Sequence, residues 1–183
     1  MGDVGVALGD RPRIHSMSRG TRRDNVSSIV MNITVAAEPF DVPEAQRLIA
    51  ALDTHLAGRY AAEQRFGPNL RPEQVAPGLG TFVIARADGR AVGCGALRRL
   101  DEGTAEVKRM YVEPERRGQG IAKEILEHLE DAARVMDTRR LVLETGMYQA
   151  EAIGLYRRAG FKPIVCFGEY AGVSTSVCFE TNI

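Results

Sequence analysis

A chain of 183 residues, 44% hydrophobic and 26% charged, is long enough to bury one sizeable core and ordinary for a globular domain. Its 24 Lys+Arg balance 24 Asp+Glu, which gives no basic excess of the kind nucleic acid requires, and no apolar run is long enough to span a bilayer. Three cysteines, Cys94, Cys166 and Cys178, are too widely spaced for a disulfide framework or a zinc pattern; they lie in apolar, strand-like stretches and are expected reduced, as small hydrophobes in a cytoplasmic protein.

Residues 1–30 are rich in Arg, Gly and Ser without an apolar period. A signal peptide would need about 7–15 apolar residues in a row, which are absent. The segment reads as a disordered tail or a start assigned upstream of Met31, leaving 31–183 as one domain. Residues 32–37 alternate weakly and predict a first strand. Pro43 opens a helical pattern in which Leu48, Ile49, Leu52, Leu56 and Tyr60 recur at helical spacing. Residues 67–80, with their prolines and glycines, read mostly as loop.

A meander of three antiparallel strands follows, over 81–87, 91–100 and 104–112. Asp88-Gly89 and Glu102-Gly103 are its turns. A long amphipathic helix is predicted from Ile121 to about Met136, with Ile125, Leu129 and Ala132 on one stripe. The run Leu141-Val142-Leu143 predicts a strand buried on both faces. Residues 149–159 read as a short helix with Gly160 at its C-terminal cap, and 163–167 and 174–180 as the last strands. The order β-α-βββ-α-β-α-ββ predicts an α+β fold, a mixed and mainly antiparallel sheet flanked by helices.

The chemistry sits in Val112–Ala122, VEPERRGQGIA, where a strand feeds a glycine-rich turn that opens a helix. Such a turn gathers backbone N–H groups at the positive end of a helix, a site for phosphate. Gly118 and Gly120 allow close approach of backbone, and Arg116 and Arg117 add positive charge. The Gly-Lys-Ser/Thr of a Walker loop is absent, and Lys123 stands where the dinucleotide fingerprint needs its third glycine. A pyrophosphate ligand other than ATP or NAD remains.

Arg117-Gly118-Gln119-Gly120-Ile121-Ala122 resembles the signature of the GNAT superfamily of N-acetyltransferases, Arg/Gln-x-x-Gly-x-Gly/Ala. A second segment, QAEAIGLYRRAGF from Gln149 to Phe161, is similar to that family's Asn-x-x-Ala-Ile-x-Leu-Tyr-x-x-x-Gly-Phe, with Gln149 in place of Asn. The resemblance runs from about Asn32 to the end. It implies acetyl-CoA as cosubstrate, no metal, and direct acetyl transfer to an amine in a ternary complex. It implies binding of acetyl-CoA by Arg117, Gly118, Gln119, Gly120, Ile121 and Ala122 at the pyrophosphate, by Met110, Tyr111 and Val112 along the acetyl and pantetheine portions, and by Gln149. It implies Tyr156 as the group that protonates or stabilises the leaving thiolate.

The general base is open between two carboxylates. Glu106 shares a strand face with Lys108 and Met110, at a position where some relatives carry a catalytic carboxylate; its other reading is a surface carboxylate paired across the sheet. Glu144, at the end of its strand, is the second candidate. His55 and His128 read as solvated, and no His, Cys and carboxylate cluster has metal spacing. Tyr60, Arg65, Phe82, Tyr170 and Ser174 are the expected acceptor contacts. The acceptor is expected to be a small-molecule amine, the alternatives being a protein lysine or N-terminus, or a silent acyl-CoA-binding module. No nucleic acid or membrane partner is expected; homodimers are common among relatives, but no feature here specifies one.

Overall fold

The structure is a computed structural model that describes residues 32–61 and 70–183. The expected tail at 1–30 and the expected contact Arg65 lie outside the described residues. A seven-stranded sheet has the order β1-β2-β3-β4-β5-β7-β6, with β1 Ile33–Ala37, β2 Gly80–Ala87, β3 Arg90–Arg99, β4 Thr104–Val112, β5 Arg140–Gly146, β6 Lys162–Ile164 and β7 Ser176–Asn182. Three α-helices accompany it: α1 Pro43–Ala57, α2 Ile121–Val135 and α3 Ala150–Arg158. Only the β4–β5 pair is parallel, and α2 makes the crossover that a parallel connection requires.

The local chemistry accounts for most of the boundaries. Pro43 sits in the first turn of α1, where its missing N–H costs nothing. Asp88 and Gly89 both take positive φ, 49° and 85°, as the tight β2–β3 turn demands. Helix α1 stops at Ala57, so Tyr60 leaves the predicted stripe and lies beyond the helix end, buried. A single 3-10 turn, Pro72–Val75, interrupts the predicted loop.

Two apolar layers cover the two faces. On one face Ile125, Leu126 and Leu129 of α2 pack on Val83, Val92, Leu97, Val107, Leu141, Leu143 and Phe179, joined by Tyr156 from α3. On the other, Ala45, Leu48 and Leu52 of α1 pack on Phe82, Ile84, Cys94 and Ala96. The second layer gives out toward β5, where polar side chains take over.

Two expectations are corrected. Cys166 and Cys178 are joined as a disulfide; Cys94 alone is a free, buried thiol. Widely spaced in sequence, the two meet because β6 and β7 pair antiparallel with Ile164 opposite Cys178. Strand β6 is also shorter than predicted: after Ile164 the chain leaves the ladder for the disulfide and a 3-10 turn, Gly168–Tyr170.

Candidate active site

The parallel register between β4 and β5 runs through four pairs, from Thr104 with Arg140 to Val107 with Leu143, and stops there. Both strands continue, β4 to Val112 and β5 to Gly146. From Lys108 onward β4 is therefore paired only with β3, and a gap opens on its β5 side. A register shift in the β3–β4 pairing between Cys94 and Ala96, with Arg109 at φ 56°, marks the same point. Met110, Tyr111 and Val112 lie along this open edge, where sequence reasoning put contacts to the acetyl and pantetheine portions.

Past Val112 the chain makes the glycine-rich turn. Gly118 and Gly120 hold φ of 75° and 84°, a left-handed backbone that explains both glycines. Gly120 is the N-cap of α2 and supplies no side-chain cap; the Lys123 amide donates to Gly120 O at 2.9 Å, so the amides of Ile121 and Ala122 are the ones left to a ligand or to water. Ile121 is buried in the core and Ala122 packs against it, so these two can offer a ligand only their backbone. Arg117 is partly committed, its Nε donating to Val112 O at 3.1 Å while its guanidinium lies 6.0 Å from the Tyr111 ring centroid. The Gln119 amide donates to Glu115 O at 3.4 Å.

Across the gap, Gln149 is the N-cap residue of α3 and makes no side-chain cap. Tyr156 is buried between Phe161 and Phe179, with ring centroids 5.8 and 6.3 Å away. Burial, and then the charge of Glu144, push its hydroxyl above the usual tyrosine range. A phenol held neutral in this way keeps its proton and can donate a hydrogen bond to a developing anion.

The two carboxylates have different surroundings. Glu106 is 1% exposed and fully engaged. Oε2 accepts from Arg98 Nε at 2.6 Å; Oε1 accepts from the Tyr170 hydroxyl at 2.7 Å and from Lys108 Nζ at 3.3 Å. Arg98 also donates to Glu169 at 2.7 Å, and Lys108 bonds Tyr170 as well. Burial opposes the charge of Arg98, but Glu106 and Glu169 outweigh it and its pKa stays raised. Glu106 thus combines features of both readings: it is paired with a cross-strand cation, yet inside the protein.

Glu144 accepts one hydrogen bond, from Ser176 Oγ at 2.6 Å. Burial holds its carboxyl above the usual range; Ser176 and Lys108 oppose this, while Glu106 and Glu169 add to it. Tyr60 lies against Gly146, where any Cβ would run into its ring and hydroxyl, and its oxygen accepts from the Tyr148 amide at 3.0 Å.

Of the expected acceptor contacts, Tyr60 and Tyr170 stand near Glu144 and feel its charge. Phe82 is instead core, edge-on to Phe40, and Ser174 is exposed. Sequence reasoning missed Arg98, Lys108 and Ser176. Counting outward from the Glu102-Gly103 turn puts Arg98 opposite Glu106, so that pair was readable; Ser176 depended on a long-range register. His55 stands 6.4 Å from the Tyr111 ring, and among the described residues no group could hold a metal ion. No helix of the described residues is long and apolar enough to cross a membrane.

The family model described as acetyltransferase (GNAT) family matches residues 42–161. An IAA acetyltransferase of Azospirillum brasilense is 40% identical over 150 residues, covering 81% of this chain and 97% of its own. Among solved structures, a Klebsiella pneumoniae protein assigned as an acyl-CoA N-acyltransferase superposes with TM-score 0.69 at 34% identity, over 82% of this chain and 97% of that one. A GNAT family acetyltransferase from Elizabethkingia anophelis with acetyl-CoA bound has the same fold, with TM-score 0.57 at 18% identity over 83% of this chain and 99% of that one. A split sheet, a glycine turn at a helix N-terminus and a family match over most of the chain agree: the chain belongs to the GNAT family of acetyltransferases, acyltransferases whose acetyl donor is acetyl-CoA.

Proposed function

We propose that this protein transfers the acetyl group of acetyl-CoA to the primary amine of a small molecule, directly and within a ternary complex. The observation that carries this reading is the gap between β4 and β5, which opens at Val107 and Leu143 and leads to the uncapped turn at Gly118 and Gly120. An extended donor fits along the gap with its pyrophosphate on the amides of residues 118–122. Arg117 and Gln149 lie at the two sides of that path. The thioester carbonyl would meet backbone N–H groups of Met110 to Val112, donors for a developing oxyanion. Tyr156, kept neutral by its burial, would stabilise the leaving thiolate by donating a hydrogen bond to it.

Direct transfer is supported by the cysteines. Cys94 is buried and its thiol is pushed up to about 12, and Cys166 and Cys178 are oxidised together, so no thiolate is at hand for a covalent acetyl-enzyme. The small-molecule acceptor is supported by the strap that follows β6, whose buried Tyr170 covers the charged end of the sheet through its hydrogen bond to Glu106. The Azospirillum relative, an IAA acetyltransferase by name, is matched over 97% of its length. Exposed Met147 and Tyr148 beside the gap favour the second reading, a peptide acceptor.

The test is thiol release from acetyl-CoA with a panel of small primary amines, run beside lysine-bearing and N-terminal peptides. Turnover in the first panel is expected; turnover with peptides alone would move the reading to protein modification. Gly120→Asp completes it. A Cβ at Gly120 meets nothing within 4 Å, so the substitution costs the strain of a side chain at φ 84°, and thermal unfolding of the variant is read beside its binding. Its carboxylate beside the pyrophosphate should reduce acetyl-CoA affinity at least a hundredfold, and unchanged affinity would refute the cradle.

A further inference from the structure

We infer that Glu144, oriented by Ser176, is the catalytic group that takes the proton from the acceptor amine, and that Glu106 is a positioning residue. The inference rests on the acetyl-transfer reading above and assigns its missing base.

Position comes first. Glu144 is the residue directly after Leu143, the last partner in the β4–β5 register, and so stands at the vertex of the gap. It shares the α1 face of the sheet with Glu106 and Lys108, because Val142 pairs Glu106 and side chains alternate along β5. Availability comes second. Both oxygens of Glu106 are taken by Arg98, Lys108 and Tyr170, so a proton could reach it only by breaking that cluster. At Glu144, Oε1 accepts from the Ser176 hydroxyl, and among the described residues Oε2 has no protein partner.

The groups that face Glu144 explain its readiness. Lys108 and Glu106 on β4 and Glu169 on the turn after β6 act on its charge, and Tyr60, Tyr156 and Tyr170 feel it in turn. Two like charges and partial burial work against one ammonium and one hydroxyl, and the balance raises the carboxyl toward the range where a base is useful at neutral pH. The coupling to Tyr156 puts the proton acceptor and the proposed hydrogen-bond donor within one field.

The step balances as follows. The acceptor ammonium gives one proton to Glu144, freeing the nitrogen lone pair. The N–C bond forms at the thioester carbonyl and the C–S bond breaks, the electron pair leaving on sulfur. The thiolate, held by a hydrogen bond from Tyr156, takes the second proton shed by nitrogen. Glu144 returns its proton to solvent.

The test uses the full chain and whichever amine of the panel turns over fastest. Glu144→Gln keeps the shape and an acceptor oxygen for Ser176. It should lower kcat about a hundred- to ten-thousandfold. Acetyl-CoA affinity should not change, the acid limb of the kcat/KM profile should vanish, and part of the rate should return as pH approaches the amine's own pKa. Ser176→Ala removes a hydrogen bond that stabilises the carboxylate, so the acid limb should move to higher pH with a smaller loss of kcat. A Glu144→Gln enzyme that keeps kcat within about threefold, or keeps the acid limb, would overturn the assignment while leaving acetyl transfer standing. A wild-type enzyme silent toward every amine and peptide would overturn both readings.

Discussion

The two faces of the sheet are built differently. Under α2 the layer is apolar from Val83 on β2 to Phe179 on β7. Under α1 it is apolar only as far as Cys94 and Ala96, and beyond them it carries Arg98, Glu106, Lys108 and Glu144. The first face secures the fold by removing carbon from water. The second gives up that gain at one end and holds charge there, which a protein keeps inside only where each ion has partners or a task. Glu106 has the partners and Glu144 the task.

The largest effect should come from breaking the paired cluster. Glu106→Ala leaves Arg98, 7% exposed, with Glu169 as its only carboxylate partner among the described residues, and should cost up to about 3–5 kcal/mol of unfolding free energy, read by chemical denaturation. Leu129→Ala on the opposite face leaves a cavity and should cost about 2–5 kcal/mol, with kcat per folded molecule unchanged. Loss of kcat there would mean that the faces are not separate.

The smallest effect has the opposite sign. Burial raises the folded-state pKa of Glu144. Its protonation therefore favours the fold at low pH, and that contribution is lost as pH rises through the folded value. Glu144→Gln, which carries no charge, should be more stable than wild type at pH 8 by up to about 2–4 °C in Tm, with the gap closing on acidification. A variant less stable than wild type at pH 8 would make Glu144 a structural residue.

Much of this was legible in the sequence because it is local. The order of elements, the two hairpin turns and the start of α2 follow from glycines, prolines and apolar periods over a few residues. The glycine turn was found the same way, and the Tyr156 segment by its resemblance to the family's motif. What was not legible depends on register between distant segments. The disulfide needs β6 beside β7, and the Ser176 contact needs β7 beside β5. Glu106 does share its face with Lys108, but not with Met110 as the period of two predicts: the left-handed backbone at Arg109 turns Met110 to the α2 face. The burial of Glu106 required Tyr170 and Glu169 to fold over it, and no periodicity encodes that.

One seam of the sheet is left unfinished. After four residue pairs β4 and β5 part, and the outward amides and carbonyls of Lys108 to Val112 have no neighbouring strand on that side. Arg117 already serves the carbonyl of Val112, and in the empty protein water serves what the protein leaves over. In the proposed complex the amide-bearing arm of the donor would take its place, lying where a strand would lie. The cosubstrate is then in part a piece of architecture: when it departs the sheet loses a rung, and the release of product is also a small, local unfolding.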